Sequence, residues 1–334
     1  MSESPLRAVR LWQPRIEWDT RADGTIVVRQ ADPLGPYPAR MSDRIDHWAS
    51  VDPDRLWMAE RAGDGWARVS YGALAGHVRA IGQALLGLGL SVDRPLAILS
   101  GNSVGHALVA LGAQFAGIPS AAIAPAYATS AGELGKLKAV RDQITPGAIY
   151  VEQTGPYARA LAEVFPGLPV LGRAGEGLAM TWEALLATRP GPEVAAAHAA
   201  TGPDTVAKFL FTSGTTGSPK AVIQTQRMMC ANMEQMTDCY AYLRDEPPVI
   251  LDWAPWNHVA GGNLVFNCAL YNGGTFWLDG GRPTRDGMAE TLRNLREIPT
   301  NWYWTVPCGF EMLAEAMEAD AELARVFYSR LKFT

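Results

Sequence analysis

Apolar side chains at Leu74, Val78, Ile81, Leu85 and Leu88 recur at helical spacing, which predicts a helix from residue 71 to 88. Just before it, residues 67–71 alternate as a strand does. The same two periods then follow each other along the chain. Residues 95–99 read as a short buried strand and 104–116 as a helix. Residues 120–123 read as a strand, 125–127 as a loop, 130–140 as a helix and 148–151 as a strand. Strand–helix alternation of this kind implies an α/β fold, with parallel sheets covered by helices on both faces.

The ends of this series read differently. Residues 1–38 are rich in Trp, Arg and Pro and form an N-terminal arm with one hairpin. In that hairpin Ala22-Asp23-Gly24 makes the turn and 25–28 a strand. A first α/β subdomain follows over 39–171, opening with a helix at 39–50. The Ala/Gly/Pro-rich stretch 172–204 reads as a linker around one helix, 182–188. A second α/β subdomain, 205–334, then carries a helix at 227–243 and strands at 249–253 and 275–278. Met229, Met233, Met236, Tyr240 and Leu243 share one face of that helix, a core-packing stripe.

Composition narrows the function classes. With 334 residues and 48% hydrophobic side chains the chain can bury a large core. Its net charge of −5 argues against a nucleic-acid surface, which needs a basic stripe. Cys230, Cys239, Cys268 and Cys308 include no CxxC pair and match no zinc spacing; Cys230 and Cys239 read as small core residues. A reduced, cytoplasmic setting fits them best. The N-terminus lacks the apolar core of a signal peptide. Residues 95–132 carry no Asp, Glu, Lys or Arg, but prolines and a polar turn break them up, so no membrane span is expected.

The densest chemistry lies at Thr212-Ser213-Gly214-Thr215-Thr216-Gly217-Ser218-Pro219-Lys220, directly after the apolar Phe209-Leu210-Phe211. Hydroxyls, backbone N–H groups and one ammonium converge there, and a polyphosphate is the anion that fits. It is not a Walker A motif, because Pro219 precedes the lysine. A second motif, Gly101-Asn102-Ser103-Val104-Gly105, matches the nucleophile elbow of serine hydrolases. His106 follows that serine too closely to serve as its base, so a Ser103 esterase is the weaker reading. The third group is Ala254-Pro255-Trp256-Asn257-His258-Val259-Ala260-Gly261-Gly262-Asn263, after the strand at 249–253, where sites of α/β folds sit.

The nine residues from Thr212 to Lys220 resemble the signature of the adenylate-forming superfamily: acyl-CoA synthetases, luciferases and peptide-synthetase adenylation domains. The resemblance covers nearly the whole chain. It implies a layered αβαβα N-terminal domain that contacts the ATP phosphates through Thr212, Ser213, Gly214, Thr215, Thr216, Gly217 and Lys220. It makes Thr216 the Mg²⁺ contact and His258 a positioning and gating group. It lines an acyl pocket with Trp256, Asn257, His258, Ala260, Gly261 and Gly262. The Pro-Trp-Asn-His form with Gly-Gly-Asn is most similar to feruloyl-CoA synthases, as are Trp12, the 100–103 turn, 125–127 and the 271–274 turn. Thr225-Gln226 departs from the superfamily, which often has histidine here. Small Ala260, Gly261 and Gly262 suggest room for a planar aromatic acid.

The implied reaction joins a small carboxylic acid to ATP as an acyl-adenylate, releasing pyrophosphate; CoA then displaces AMP. Superfamily members continue past the point where this sequence stops and supply further ATP-binding groups there. The expectation is therefore an N-terminal part that binds ATP weakly at most and does not complete the reaction alone. Fatty acyl- and benzoate-type CoA ligases are the alternatives within the family. A non-catalytic nucleotide-binding module is the alternative outside it.

Overall fold

The computed structural model describes residues 7–129, 134–213 and 217–334. The strands of the described residues, in chain order, are β1 (Ile16–Thr20), β2 (Ile26–Gln30), β3 (Leu56–Ala62), β4 (Gly65–Ser70), β5 (Leu96–Ile98), β6 (Ser120–Ala122), β7 (Ala148–Gln153), β8 (Val170–Ala174), β9 (Met180–Thr181), β10 (Val206–Ser213), β11 (Pro219–Thr225), β12 (Val249–Asp252) and β13 (Thr275–Leu278). A seven-stranded sheet has the order β11-β10-β6-β5-β7-β8-β9, and a four-stranded sheet the order β12-β13-β3-β4. Neighbours are parallel except β10 with β11 and β3 with β4. The β1–β2 hairpin stands apart as its own two-stranded sheet.

Strand periodicity explains how the layers stack. Leu96 and Ile98 point into one core while Ala97 and Leu99 point into another, and Ala148 and Tyr150 alternate with Ile149 and Val151 in the same way. The first core lies between the two sheets and is filled by helices Ser42–Val51, Tyr71–Gly87, Val104–Phe115 and Gln226–Cys239. The second lies behind the seven-stranded sheet, under Gly135–Ile144 and Ala158–Val164. On the four-stranded sheet Ile250 faces the central core, and Leu251 faces a third core under Met288–Glu297, Pro307–Ala319 and Ala321–Arg330. Helices thus cover both faces of each sheet in the order αβαβα. Strands buried on both faces need continuous apolar runs, which is why the 95–99 stretch has no polar side.

Several expectations change. The 172–204 stretch is not a bare linker: it carries the end of β8, all of β9, and helices Trp182–Ala187 and Pro192–Ala200. Nor do the sheets follow the expected halves. β10 and β11 join the sheet built from 96–181, while β3 and β4 join the sheet of β12 and β13. A short helix, Ala126–Thr129, replaces the loop at 125–127. The next helix runs Gly135–Ile144, and 130–133 of the expected 130–140 helix lie outside the described residues. The Met-stripe helix ends at Cys239 and continues as a 3-10 turn, Ala241–Arg244. Met229, Met233 and Leu243 are buried as expected, and so is Cys230, but Cys239 is exposed at the helix end. No helix among the described residues is long and apolar enough to cross a membrane.

Candidate nucleotide and acyl site

The segment expected to bind phosphate sits at the tip of a β-hairpin. β10 delivers Thr212, and β11 returns with Lys220 directly across from it; Ser213 and Pro219 form the last pair. Lys220 is thus on a strand, not in the loop. The following helix starts only at Gln226, where the Thr225 hydroxyl accepts from the Met228 N–H. Among the described residues no helix N-terminus adjoins Thr212 or Lys220. Gly214, Thr215 and Thr216 lie outside the described residues; Thr212, Gly217 and Lys220 are exposed. Gln143 reaches across from Gly135–Ile144 and brackets Lys220. Its amide donates to the Pro219 carbonyl at 2.7 Å and accepts from the Ala221 N–H at 2.9 Å. Among the described residues no three His, Cys, Asp or Glu side chains converge as a metal cage.

The elbow-like motif is a helix cap. Ser103 Oγ accepts from the His106 N–H at 2.9 Å, as an N-cap side chain does, and donates to the Glu152 carboxylate. Neither partner is an imidazole. Burial lowers the His106 pKa to about 4, and its Nδ1 lies 3.0 Å from the Gly101 carbonyl. The geometry of a Ser–His pair is absent, which removes the esterase reading.

The Trp256-Asn257-His258 group leaves β12 as a strap that leads into a π-helical turn, Ala260–Val265. Asp252 ends β12; burial raises its pKa to about 8, and its Oδ1 accepts from the Ala254 N–H at 2.6 Å. Trp256 is 5% exposed and packs edge-on against His106, Phe266 and Phe276. His258 is exposed, and its Nδ1 accepts from the Ala260 N–H at 3.2 Å. The glycines do not open space for a ligand. A Cβ on Gly261 would lie 2.5 Å from the Ala254 and Pro255 oxygens, and one on Gly262 2.3 Å from the Trp256 oxygen. Their smallness is spent on close backbone packing.

Two cavities flank the π-helical turn. The inner one, about 30 Å³, is lined by Lys208, His106, Gln114, Ser120, Trp256 and Gly262 among others, and has room for about one water. The outer one, about 450 Å³, is lined by Gln224, Met228, Met229, Asn232, Val259, Ala260, Asn263, Leu264 and Asn267. Its volume falls in the range of small-molecule pockets. Of the expected acyl residues, only Ala260 lines it. Asn263 Nδ2 donates to Gln224 Oε1 at 3.1 Å, while Asn263 Oδ1 and Asn267 Nδ2 are buried without a partner.

Sequence reasoning missed Lys208, Asn102, Gln224 and Asn267. Lys208 had a signal: a lone cation within the apolar Val206–Ser213 strand. Its ammonium donates to the Gly262 carbonyl at 2.7 Å, and burial lowers its pKa to about 7. Through Lys208–Gly262 and Gln224–Asn263, both arms of the phosphate hairpin touch the acyl turn. The hydroxyl-rich hairpin and the π-helical turn are thus in direct contact.

The model of the AMP-binding enzyme family matches residues 45–334. A long-chain-fatty-acid–CoA ligase of Xenopus laevis is 22% identical over 330 residues, covering 90% of this chain and 42% of that protein. A 4-hydroxybenzoate–CoA/benzoate–CoA ligase of Rhodopseudomonas palustris is 28% identical over 258 residues, covering 74% of this chain and 46% of that protein. The chain spans less than half the length of these relatives. The crystal structure of a long-chain-fatty-acid–CoA ligase from Archaeoglobus fulgidus superposes with a TM-score of 0.68 at 16% identity, over 87% of this chain and 56% of the other, a likeness of fold. The layered fold, the hairpin that carries the hydroxyl-rich segment and the matched family model together place this chain in the AMP-binding enzyme family.

Proposed function

We propose that this chain is the nucleotide- and acid-binding part of an AMP-forming acyl-CoA synthetase for an aromatic, hydroxycinnamate-type acid such as ferulate. The observation that supports the substrate class is the lining of the outer cavity, where the amides of Gln224, Asn232, Asn263 and Asn267 alternate with Met228, Met229 and Leu264. A hydroxylated ring can meet both kinds of surface, whereas an alkyl chain meets only the apolar one.

In the first half-reaction a carboxylate oxygen attacks the α-phosphorus of ATP, and the bond to pyrophosphate breaks. The carboxylate is ionised near neutral pH and needs no base. Thr212, Ser213, Gly214, Thr215, Thr216, Gly217 and Lys220 hold the phosphates, and Lys220 meets charge as it gathers on the leaving group. Mg²⁺ bound with the nucleotide, near Thr216, would neutralise phosphate oxygens. His258 and Asn257 stand at the bend of the strap, where they gate the approach of the acid, while Ala260 lines the cavity. In the second half-reaction the CoA thiol attacks the acyl carbon and AMP leaves.

A fatty acyl substrate is the second reading, favoured by the Xenopus relative, which matches 90% of this chain. Ferulate, cinnamate and octanoate titrated against the chain decide between them. Ferulate should bind about tenfold or more tighter than cinnamate, which lacks the ring oxygens. Octanoate binding tighter than ferulate overturns the aromatic reading.

A further inference from the structure

The 100–103 turn resembles a catalytic motif but carries no catalysis, and Lys208 is a buried cation with no carboxylate partner among the described residues. Burying an unpaired charge is costly, so such a lysine needs an explanation. Both features end on the strap. Asn102 sits on the turn after β5 and uses both ends of its amide. Nδ2 donates to the Ala254 carbonyl at 2.8 Å, and Oδ1 accepts from the Trp256 N–H at 3.0 Å. That is the pattern a neighbouring strand would offer. At the other end of the strap the Lys208 ammonium, on β10, donates to the Gly262 carbonyl at 2.7 Å. Between these two fixed points Pro255, His258 and Val259 are exposed, and Val259 retains 56% of its accessible surface.

We propose that Asn102 and Lys208 are positioning residues: two anchors, both supplied by the seven-stranded sheet, that hold the ends of the 254–262 strap borne by the four-stranded sheet and so set the wall of the outer cavity. The strap leaves β12 and leads back, through the π-helical turn and the helix Phe266–Tyr271, to β13 of the same sheet. Its own backbone offers few internal bonds there: His258 N–H to Pro255 O, and Gly262 N–H to His258 O. Without the anchors the bend that bears Asn257 and His258 is held only by the buried Trp256 and by the packed glycines at its far end. Lys208 also lies four residues before Thr212 on a single strand, so the anchor that fixes the acyl wall is rigidly joined to the phosphate hairpin. The consequence for acid binding rests on the reading given under Proposed function; the anchoring itself does not.

Two arms keep those claims separate. Hydrogen exchange is measured on the chain without ligand, comparing the parent with Asn102→Leu, Asn102→Asp and Lys208→Met, which roughly conserve volume. Exchange should rise about tenfold at Trp256 in Asn102→Leu and at the Gly262 end in Lys208→Met, with far smaller change elsewhere. Asn102→Asp keeps the acceptor for the Trp256 N–H and should fall between. The second arm titrates ferulate and inorganic pyrophosphate. Both Asn102→Leu and Lys208→Met should weaken ferulate about tenfold and leave pyrophosphate within about twofold. Unchanged exchange over 254–262 in either variant overturns the anchors. Parallel loss of ferulate and pyrophosphate binding, the mark of general loosening, overturns the positioning role. A parent chain that binds no ferulate overturns the proposed substrate, and the exchange arm then decides the anchors alone.

Discussion

The hairpin that carries Thr212 and Lys220 and the strap at 254–262 are built by opposite means. The hairpin is local: two successive strands, β10 and β11, register on each other and carry Thr212 and Lys220 to an exposed edge, with Gln143 as its outer brace. The strap is a tertiary product. It begins on a buried carboxyl, Asp252, runs under a buried Trp256, closes on two glycines packed against its own backbone, and takes anchors from another sheet. The exposed positions of β11, such as Lys220 and Ile223, can change at little cost to the fold, whereas the strap has its chemistry and its packing in the same residues.

Substitutions along the strap and the hairpin test that contrast. The largest effect belongs to Trp256→Ala, which empties the space between His106, Phe266 and Phe276 and should cost about 3–5 kcal/mol in denaturant unfolding. The matching cut in the hairpin, Ile223→Ala at a 52% exposed position, should stay within about 0.5 kcal/mol. Equal losses would break the comparison. Next comes Gly262→Ala, whose new methyl meets the Trp256 carbonyl and should cost about 1–3 kcal/mol.

Asp252→Asn sharpens the comparison through pH. The folded carboxyl titrates near 8, above its ordinary value. The folded state therefore holds an extra proton between about pH 4 and 8, and this contribution to stability is present below that window and lost as pH rises through 8. Relative to the parent, Asp252→Asn should gain stability as pH rises from 5 to 8, by up to about 1.4 kcal/mol per pH unit, read from melts at several pH values. A difference that does not change with pH would place the carboxyl in solvent. The smallest effect on stability is expected from Lys220→Met, within about 0.5 kcal/mol, together with a loss of pyrophosphate affinity of about tenfold or more.

The same contrast explains what could be read from the sequence. The hairpin's hydroxyls, glycines and lysine are contiguous, so the segment stood out in the sequence, although the return strand β11 did not: Pro219 masked its start. Parallel sheets with helices on both faces followed from alternating periods, because strands buried on both faces must be apolar throughout; the αβαβα order came from the family resemblance. The acyl wall was only partly visible. Gly261 and Gly262 read as empty space, and only the fold reveals the carbonyls that fill it. Asn102 was hidden inside a motif that matches a hydrolase elbow, and its partners lie more than 150 residues away in sequence. Asn267 is ordinary in a string; its buried Nδ2 depends on how the helix Phe266–Tyr271 packs.

The interleaving of the two sheets also sets the order in which the chain can fold. β3 and β4 pair with each other early, but the parallel partner of β3 is β13, about two hundred residues later, and β6 waits for β10. Neither sheet is complete until most of the chain has emerged, so during synthesis the free edge of β3 stays open to wrong partners. Pairings of such long sequence separation make for slow folding. A cut between 182 and 204 would leave five strands of the seven-stranded sheet and two of the four-stranded sheet on one fragment, and two of each on the other, rather than two domains.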